Sequence, residues 1–378
     1  MLTSATVAPS LRLVAGLLWG SGFCALFYQT AWQRMFRLSF GASTAASAAV
    51  LAIFLGGLGV GGLVLGRRAQ QHERPLVFYG NLELGVAAAA AVSPFLADAL
   101  GRIYIGLGGV SVLGQLAATL VRLLITAIVI GPGAFFMGGT LPAAARAVET
   151  EGDRARSRLA LLYGMNTLGA VSGALAGTFV MFELFGIRLS LWAAVLVNVL
   201  VGLVARSVGR EAEPVRDTPS VAAPASGARA AAILGSLVAG FVGFAFLLLE
   251  IVWYRLLAPI LGGSTYTFGL VLAVALAGIG LGGYLYSLRD PSRAVTPSDL
   301  AVVTAIEGVF VALPIALGDR IALYAIATRY LSSLGFSALV LAWTSITAVV
   351  VFPAALASGY QFPLLFALLG SGRDRVAR

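Results

Sequence analysis

A block near the N-terminus of this chain returns, residue type for residue type, 221 positions later. Gly22, Phe23, Leu26, Trp32, Arg34, Gly41, Ser43, Thr44, Val50, Leu51, Ala52, Leu55, Gly57, Gly59, Gly61, Gly62 and Arg68 reappear as Gly243, Phe244, Leu247, Trp253, Arg255, Gly262, Ser264, Thr265, Val271, Leu272, Ala273, Leu276, Gly278, Gly280, Gly282, Gly283 and Arg289. The same offset carries Ile125, Thr126, Ala127, Val129, Pro132, Gly138 and Pro142 onto Ile346, Thr347, Ala348, Val350, Pro353, Gly359 and Pro363. The chain must therefore fold as two homologous halves in tandem.

Composition says in which solvent they fold. Hydrophobic residues make up 59% of the 378 and charged residues 11%, and apolar runs long enough to cross about 30 Å of hydrocarbon recur throughout. Those runs are continuous, not alternating, so helices are the spanning element. The expected fold is an all-α polytopic membrane protein with about ten transmembrane helices in two parallel tandem repeats, six spans plus a truncated four. The spans fall at roughly 11–33, 44–66, 76–98, 117–138, 159–181, 187–205, 231–254, 264–287, 298–317 and 336–357. Glycine and scattered charge make 98–116 and 318–335 short amphipathic or interfacial segments.

Three regions follow: a first membrane repeat over 1–206, a cytoplasmic linker over 207–230, and a second, incomplete repeat over 231–378. The linker is rich in Ala, Pro, Ser, Glu and Arg, with too few large apolar residues to offset the entropy of ordering. Beyond Pro142 the first copy continues into a fifth and a sixth span. Beyond Pro363 the second copy has only LLFALLGSGRDRVAR, so either a longer chain or a partner provides their counterparts.

Loop arginines orient the bundle. Arg67, Arg68, Arg74, Arg146, Arg154, Arg156, Arg158, Arg206, Arg210, Arg216, Arg229, Arg289, Arg293, Arg373, Arg375 and Arg378 all fall on one side of the ten-span arrangement. That side is the cytoplasm of a bacterial inner membrane, with both termini inside. Arg34, Arg37 and Arg255 lie at the far ends of spans 1 and 7, where they can snorkel to outer headgroups. The net charge of +9 is thereby explained by topology and by anionic lipid, and the dispersed arginines argue against nucleic acid.

Charges at membrane depth are costly and face protein or water, so carboxylates carry the search for a site. Glu250, near the outer third of span 7, has Trp253 and Arg255 beyond it. Its repeat mate Gln29 stands beside Trp32 and Arg34. Glu250 either pairs locally with an arginine or caps neighbouring backbone, or has a cation-binding or proton-linked role. Glu83 and Glu307, each eight to ten residues into spans 3 and 9, form a second approximate pair that either brackets a cavity or bonds to nearby Ser, Thr, Tyr79 or Asn81. Asn166 and Thr167 open span 5, where they cap the helix or reach span 4. Glu183 should pair with Arg188. Pro132, Pro142, Pro353 and Pro363 should bend or end spans 4 and 10.

Cys24 is the one cysteine, which excludes an internal disulfide and a thiol metal site; it is expected to be an inert core thiol. His72 sits among loop charges, so no metal site is expected there. The glycines at 56–62 and 278–283 lie inside apolar spans without strand context, so they let helices approach instead of cradling a nucleotide. Gly169, Gly173 and Gly177 make one smooth face of span 5. No cofactor is expected.

Two resemblances bear on function. A six-plus-six parallel duplication with a cytoplasmic linker is the plan of major-facilitator transporters, and GGLVLGRR at 61–68 and GGYLYSLR at 282–289 resemble that superfamily's glycine-basic loop. The usual acidic residue is absent from the first copy, and Asp290 follows the second too late. SGFCALFYQTAWQRMFRLSFGAST and VGFAFLLLEIVWYRLLAPILGGST resemble the opening of the membrane region in bacterial fused spermidine synthase-like proteins. GLGVGGLVLGRR, NLELGV, MGGTLP and YGMNTLGAVSGALAG match further stretches of it in order. That resemblance implies a membrane module acting as anchor or transporter-like conduit beside a soluble aminopropyltransferase-like partner, with no transferase activity in these residues. A self-contained transporter of a small, cationic solute and a structural subunit of a larger membrane complex are the alternatives.

Overall fold

The computed structural model describes residues 9–40, 44–148, 154–214, 226–290 and 295–376, and among them there are helices but no strands. The chain divides into two compact units, Met1–Thr218 and Pro219–Arg378. The first contains α1 (Leu11–Phe40), α2 (Thr44–Gln71), α3 (Pro75–Gly106), α4 (Gly109–Gly138), α5 (Thr140–Ala147), α6 (Arg154–Ala176), a π-helical turn (Gly177–Met181) and α7 (Phe182–Glu211). The second contains α8 (Ser226–Leu261), α9 (Thr265–Ser287), α10 (Pro297–Leu317), α11 (Asp319–Ala327), a 3-10 segment (Arg329–Leu334) and α12 (Phe336–Val376).

Nine stretches among the described residues are long and apolar enough to cross a membrane. One of them, Leu161–Glu211, runs 51 residues, more than twice the roughly 20 that a single crossing needs. Gly186 divides it: its φ of 70° and ψ of 172° are not helical, and the Ser190 hydroxyl donates to the Met181 carbonyl across the break at 2.7 Å. Spans 5 and 6 of the sequence reading are these two arms, so the expected number of crossings stands.

Both units are held by the same backbone contact. In the first, Gly57 faces the Ala134 methyl, where an added Cβ would come within 2.7 Å; a Cβ on Gly61 would collide with the Phe135 carbonyl, and one on Gly138 with that of Leu58. In the second, Gly278 faces Ala355 at the same 2.7 Å, Gly282 abuts the Leu356 carbonyl and Gly359 that of Ile279. Every one of these residues is the other's mate at an offset of 221. Without side chains between them, α2 and α4, like α9 and α12, meet backbone to backbone, and dispersion gains from so close an approach hold helices together where lipid supplies no hydrophobic drive. A second seam, found in the first unit, joins α1 to α6 through Gly22, Gly169 and Gly173, which abut the carbonyls of Asn166, Trp19 and Phe23.

The copies part where α6 and α7 come in. Gly22 is pressed against α6, whereas a Cβ on its mate Gly243 would meet nothing within 4 Å. Likewise 39% of the most apolar window of α3 is buried, and only 6% of that of its mate α10.

Several boundaries differ from expectation. The interfacial segment expected over 98–116 is absorbed into longer helices, because Ala97, Gly101 and Tyr104 keep burying one face of α3. The chain turns at Gly108 and Gly109, with φ of 84° and 55°, a backbone that glycine adopts without the Cβ penalty. Over 318–335 short segments do form, as α11 and the 3-10 turn. Helix α7 intrudes on the expected linker as far as Glu211, held where Gly209 packs on the Leu76–Val77 backbone, and α8 already begins at Ser226; 215–225 lies outside the described residues. Pro142 follows the end of α4, whereas Pro132 lies inside α4 and Pro353 and Pro363 inside α12 without ending these helices. Gly138 is followed by Gly139, while its mate Gly359 is followed by Tyr360. The second copy thus lacks the second helix-weakening glycine.

Candidate functional site

The first unit buries a cluster of polar side chains between α1, α3 and α7. Tyr79 and Glu83, four residues apart, share one face of α3. Ser21, Cys24 and Tyr28 recur at helical spacing on α1, and α7 contributes Asn198. All six are buried; Glu83 is 1% exposed and Tyr28, Tyr79 and Asn198 are fully enclosed.

The hydrogen bonds are specific and incomplete. The Asn198 amide nitrogen donates to Glu83 Oε2 at 2.6 Å and to the Glu83 carbonyl at 3.1 Å. These two bonds use both amide hydrogens. The Tyr79 hydroxyl donates to the Leu17 carbonyl at 3.1 Å, and the Cys24 thiol points to the Ala194 carbonyl at 3.4 Å. Ser21 and Tyr79 lie close to the carboxyl, and Cys24 close to the Tyr28 hydroxyl. Nevertheless Glu83 Oε1, Asn198 Oδ1 and Tyr28 Oη are left without a well-formed hydrogen bond. Three unspent polar atoms in one enclosed place are expensive, each costing about 1–3 kcal/mol when nothing satisfies it.

The remaining sequence candidates are distributed along the units. Trp32 is fully buried, and its indole donates to Ser93 at 2.8 Å; at the place of Ser93 the second copy has Pro314, which offers no such hydroxyl to Trp253. Gln29 and Trp253 are both 2% exposed, and Glu250 4%, so Glu250 faces protein and not lipid. Glu250 Oε1 has no hydrogen-bond partner, and Arg255 is exposed. Glu307 is half-buried beside Ser358. It does not correspond to Glu83: the residue 221 positions after Glu83 is Thr304, whose hydroxyl accepts from Gln361 at 2.6 Å.

Three expected contacts are replaced by others. Asn166 and Thr167 do not cap a helix, because α6 starts at Arg154, and the Thr167 hydroxyl turns back to the Tyr163 carbonyl at 2.9 Å. Glu183 pairs with Arg34 at 3.2 Å, and Arg188 pairs with Asp98. Arg34 also lies over the Phe182 ring, 5.8 Å from its centroid, so it is held by protein. At 29% and 44% side-chain exposure, the Arg34–Glu183 pair should be weak: Arg34→Ala should lower stability by less than about 1 kcal/mol, measured as the thermal midpoint in detergent.

The acidic partner that the glycine-basic loop of the second copy lacks in sequence comes from further along. Arg289 donates to Asp299 at 2.9 Å, and Asp299 with Thr296 forms the capping box that opens α10.

Asn198 was the residue most plainly missed. It is the one amide in its span, and a polar residue in mid-span signals an interior contact. Tyr28 and Ser21 gave less signal, since both occur freely on helix faces of ordinary packing.

No protein-family model and no curated protein sequence matches the chain. Solved structures with some likeness include an auto-inhibited POT-family peptide transporter (14% identity, TM-score 0.39, 97% of this chain and 89% of that one). Another is the POT-family transporter PepTSo (11% identity, TM-score 0.36, 97% and 90%).

Proposed function

We propose that this chain is the membrane module of a spermidine synthase-like system and acts as a transporter-like conduit for a small cationic solute. The observation that carries the reading is the enclosed Glu83 cluster. A passive anchor needs only apolar helices, whereas a carboxyl at membrane depth with unspent acceptors around it costs stability and is the usual mark of a solute or ion pathway. The resemblance of the repeated openings to spermidine synthase-like membrane regions supports a polyamine as the solute and a soluble aminopropyltransferase-like protein as the partner. The arginine-rich loops support a bacterial cytoplasmic membrane with both termini inside. In this reading the chain performs no chemistry of its own.

Equilibrium dialysis of labelled spermidine and putrescine against the purified protein in nanodiscs tests the assignment. Saturable binding that weakens at least tenfold in Glu83→Gln is the expected result. Binding to neither polyamine, or binding that Glu83→Gln leaves intact, rejects the polyamine conduit.

A second reading, a subunit of a membrane complex, draws on the exposed α10 and on the open space at Gly243. Co-purification of a membrane polypeptide that protects residues of α8 and α10 from labelling would favour it.

A further inference from the structure

We propose that Glu83, Asn198 and Tyr28 form a monovalent-cation site inside the first unit, occupied by a proton or a sodium ion.

The donors and acceptors dictate the ligand. Asn198 has spent both amide hydrogens on Glu83, so its Oδ1 can only accept. Glu83 Oε1 is likewise an acceptor when the carboxyl is ionised. Two enclosed acceptors and one phenol oxygen without a well-formed hydrogen bond, with only neutral hydroxyl and thiol groups close by, suit a positive species beside the carboxyl. An anion or a neutral apolar ligand leaves them unsatisfied.

Among the described residues no cation is paired with Glu83; Arg34, Arg188 and Arg289 each pair with another carboxylate. Among the described residues, the polar groups that act on Glu83 are the neutral Ser21, Cys24 and Tyr28 of α1, Tyr79 of its own helix and Asn198 of α7. Taking an ionised carboxylate out of water without a counter-charge costs several kcal/mol, so the site as folded requires either a proton on the carboxyl or a metal ion beside it. A proton on Oε1 turns that oxygen into a donor toward the remaining acceptors. A sodium ion satisfies the carboxylate, the amide oxygen and the phenol together, and oxygen ligands suit such a hard cation. Glu250 has an unpartnered oxygen too, but among the described residues it is Glu83 that has a spent amide and a phenol beside it.

The site deepens the conduit reading by giving it a coupling ion, yet its test needs no solute. Purified full-length protein is melted in sodium chloride and in choline chloride. In parallel, its carboxyl C=O stretch is followed by infrared spectroscopy as the pH is varied. A midpoint that rises with sodium but not choline in wild type, and not in Glu83→Gln, identifies a sodium site. A protonated-carboxyl band absent from Glu83→Gln, together with sodium indifference, identifies a proton site. Tyr28→Phe keeps the carboxyl and should fold even if Glu83→Gln does not. It should weaken sodium binding roughly tenfold, as one lost ligand to a charge is worth, or shift the carboxyl band. The proposal is overturned if wild type shows neither sodium response nor a protonated-carboxyl band. It is equally overturned if both signals survive in Glu83→Gln, or if Tyr28→Phe leaves them unchanged. Loss of spermidine binding with these signals retained would sink the conduit and spare the site.

Discussion

Gly61→Val and Gly282→Val should each prevent their unit from packing, and should do so to the same degree. The Cβ of either valine collides with a carbonyl of the facing helix, Phe135 in one case and Leu356 in the other, and backbone cannot turn aside as a side-chain tip can. Overpacking of an ordinary core costs about 1–3 kcal/mol; with backbone as the obstacle, the upper end or more is expected. The neighbouring Gly59 has nothing within 4 Å of its would-be Cβ, so Gly59→Ala should stay within about 0.5 kcal/mol of wild type. Monodisperse yield and thermal midpoint of the three variants in detergent check this. Full stability of Gly61→Val would mean that α2 and α4 do not meet as described.

The second large effect is expected at the buried pair. Asn198→Leu removes both donors to Glu83 and should destabilise the first unit by about 1–3 kcal/mol. Glu83→Leu should do similar harm by removing the carboxyl acceptor and leaving the Asn198 amide only the backbone carbonyl of residue 83. The double variant Glu83→Leu/Asn198→Leu should recover much of the loss, because replacing both partners by apolar groups removes the unpaired atoms as well as the bonds. A double-mutant cycle in thermal or denaturant unfolding reads the coupling, and additive losses would show that the two side chains do not depend on each other. Recovered stability with lost cation and solute binding is the combination that marks a group kept for function at the expense of the fold.

These two predictions also mark what could be read in the chain. The repeat was legible because it rests on residue identity at a fixed offset, and the glycines that make it conspicuous are the ones that bring helix backbones together in both units. The carboxylates were legible as a class, since charge within an apolar run is rare. Their partners were not. Glu183 faced Arg188 in sequence but pairs with Arg34, 149 positions away, and Glu83 meets Asn198, 115 positions away. Sequence spacing places residues on a helix face; it says nothing of which other helix that face meets. Matching Glu83 with Glu307 followed residue type and ignored the offset, which pairs Glu83 with Thr304. The asymmetry is itself informative: at this position the first unit keeps a carboxyl where the second keeps a hydroxyl bonded to Gln361, while the second unit's buried acid, Glu250, stands where the first has Gln29.

In the proposed reading this bundle conducts a cationic solute and Glu83 takes part. Flux decides it: proteoliposomes containing wild type, Glu83→Gln or Arg34→Ala are loaded with buffer, and uptake of radiolabelled spermidine is followed with and without an imposed ion gradient. Wild type and Arg34→Ala should accumulate the polyamine faster than empty liposomes. Glu83→Gln, equally folded and equally inserted, should not. Uptake by wild type no faster than by empty liposomes, under sodium and proton gradients alike, would contradict the account and leave the chain an anchor.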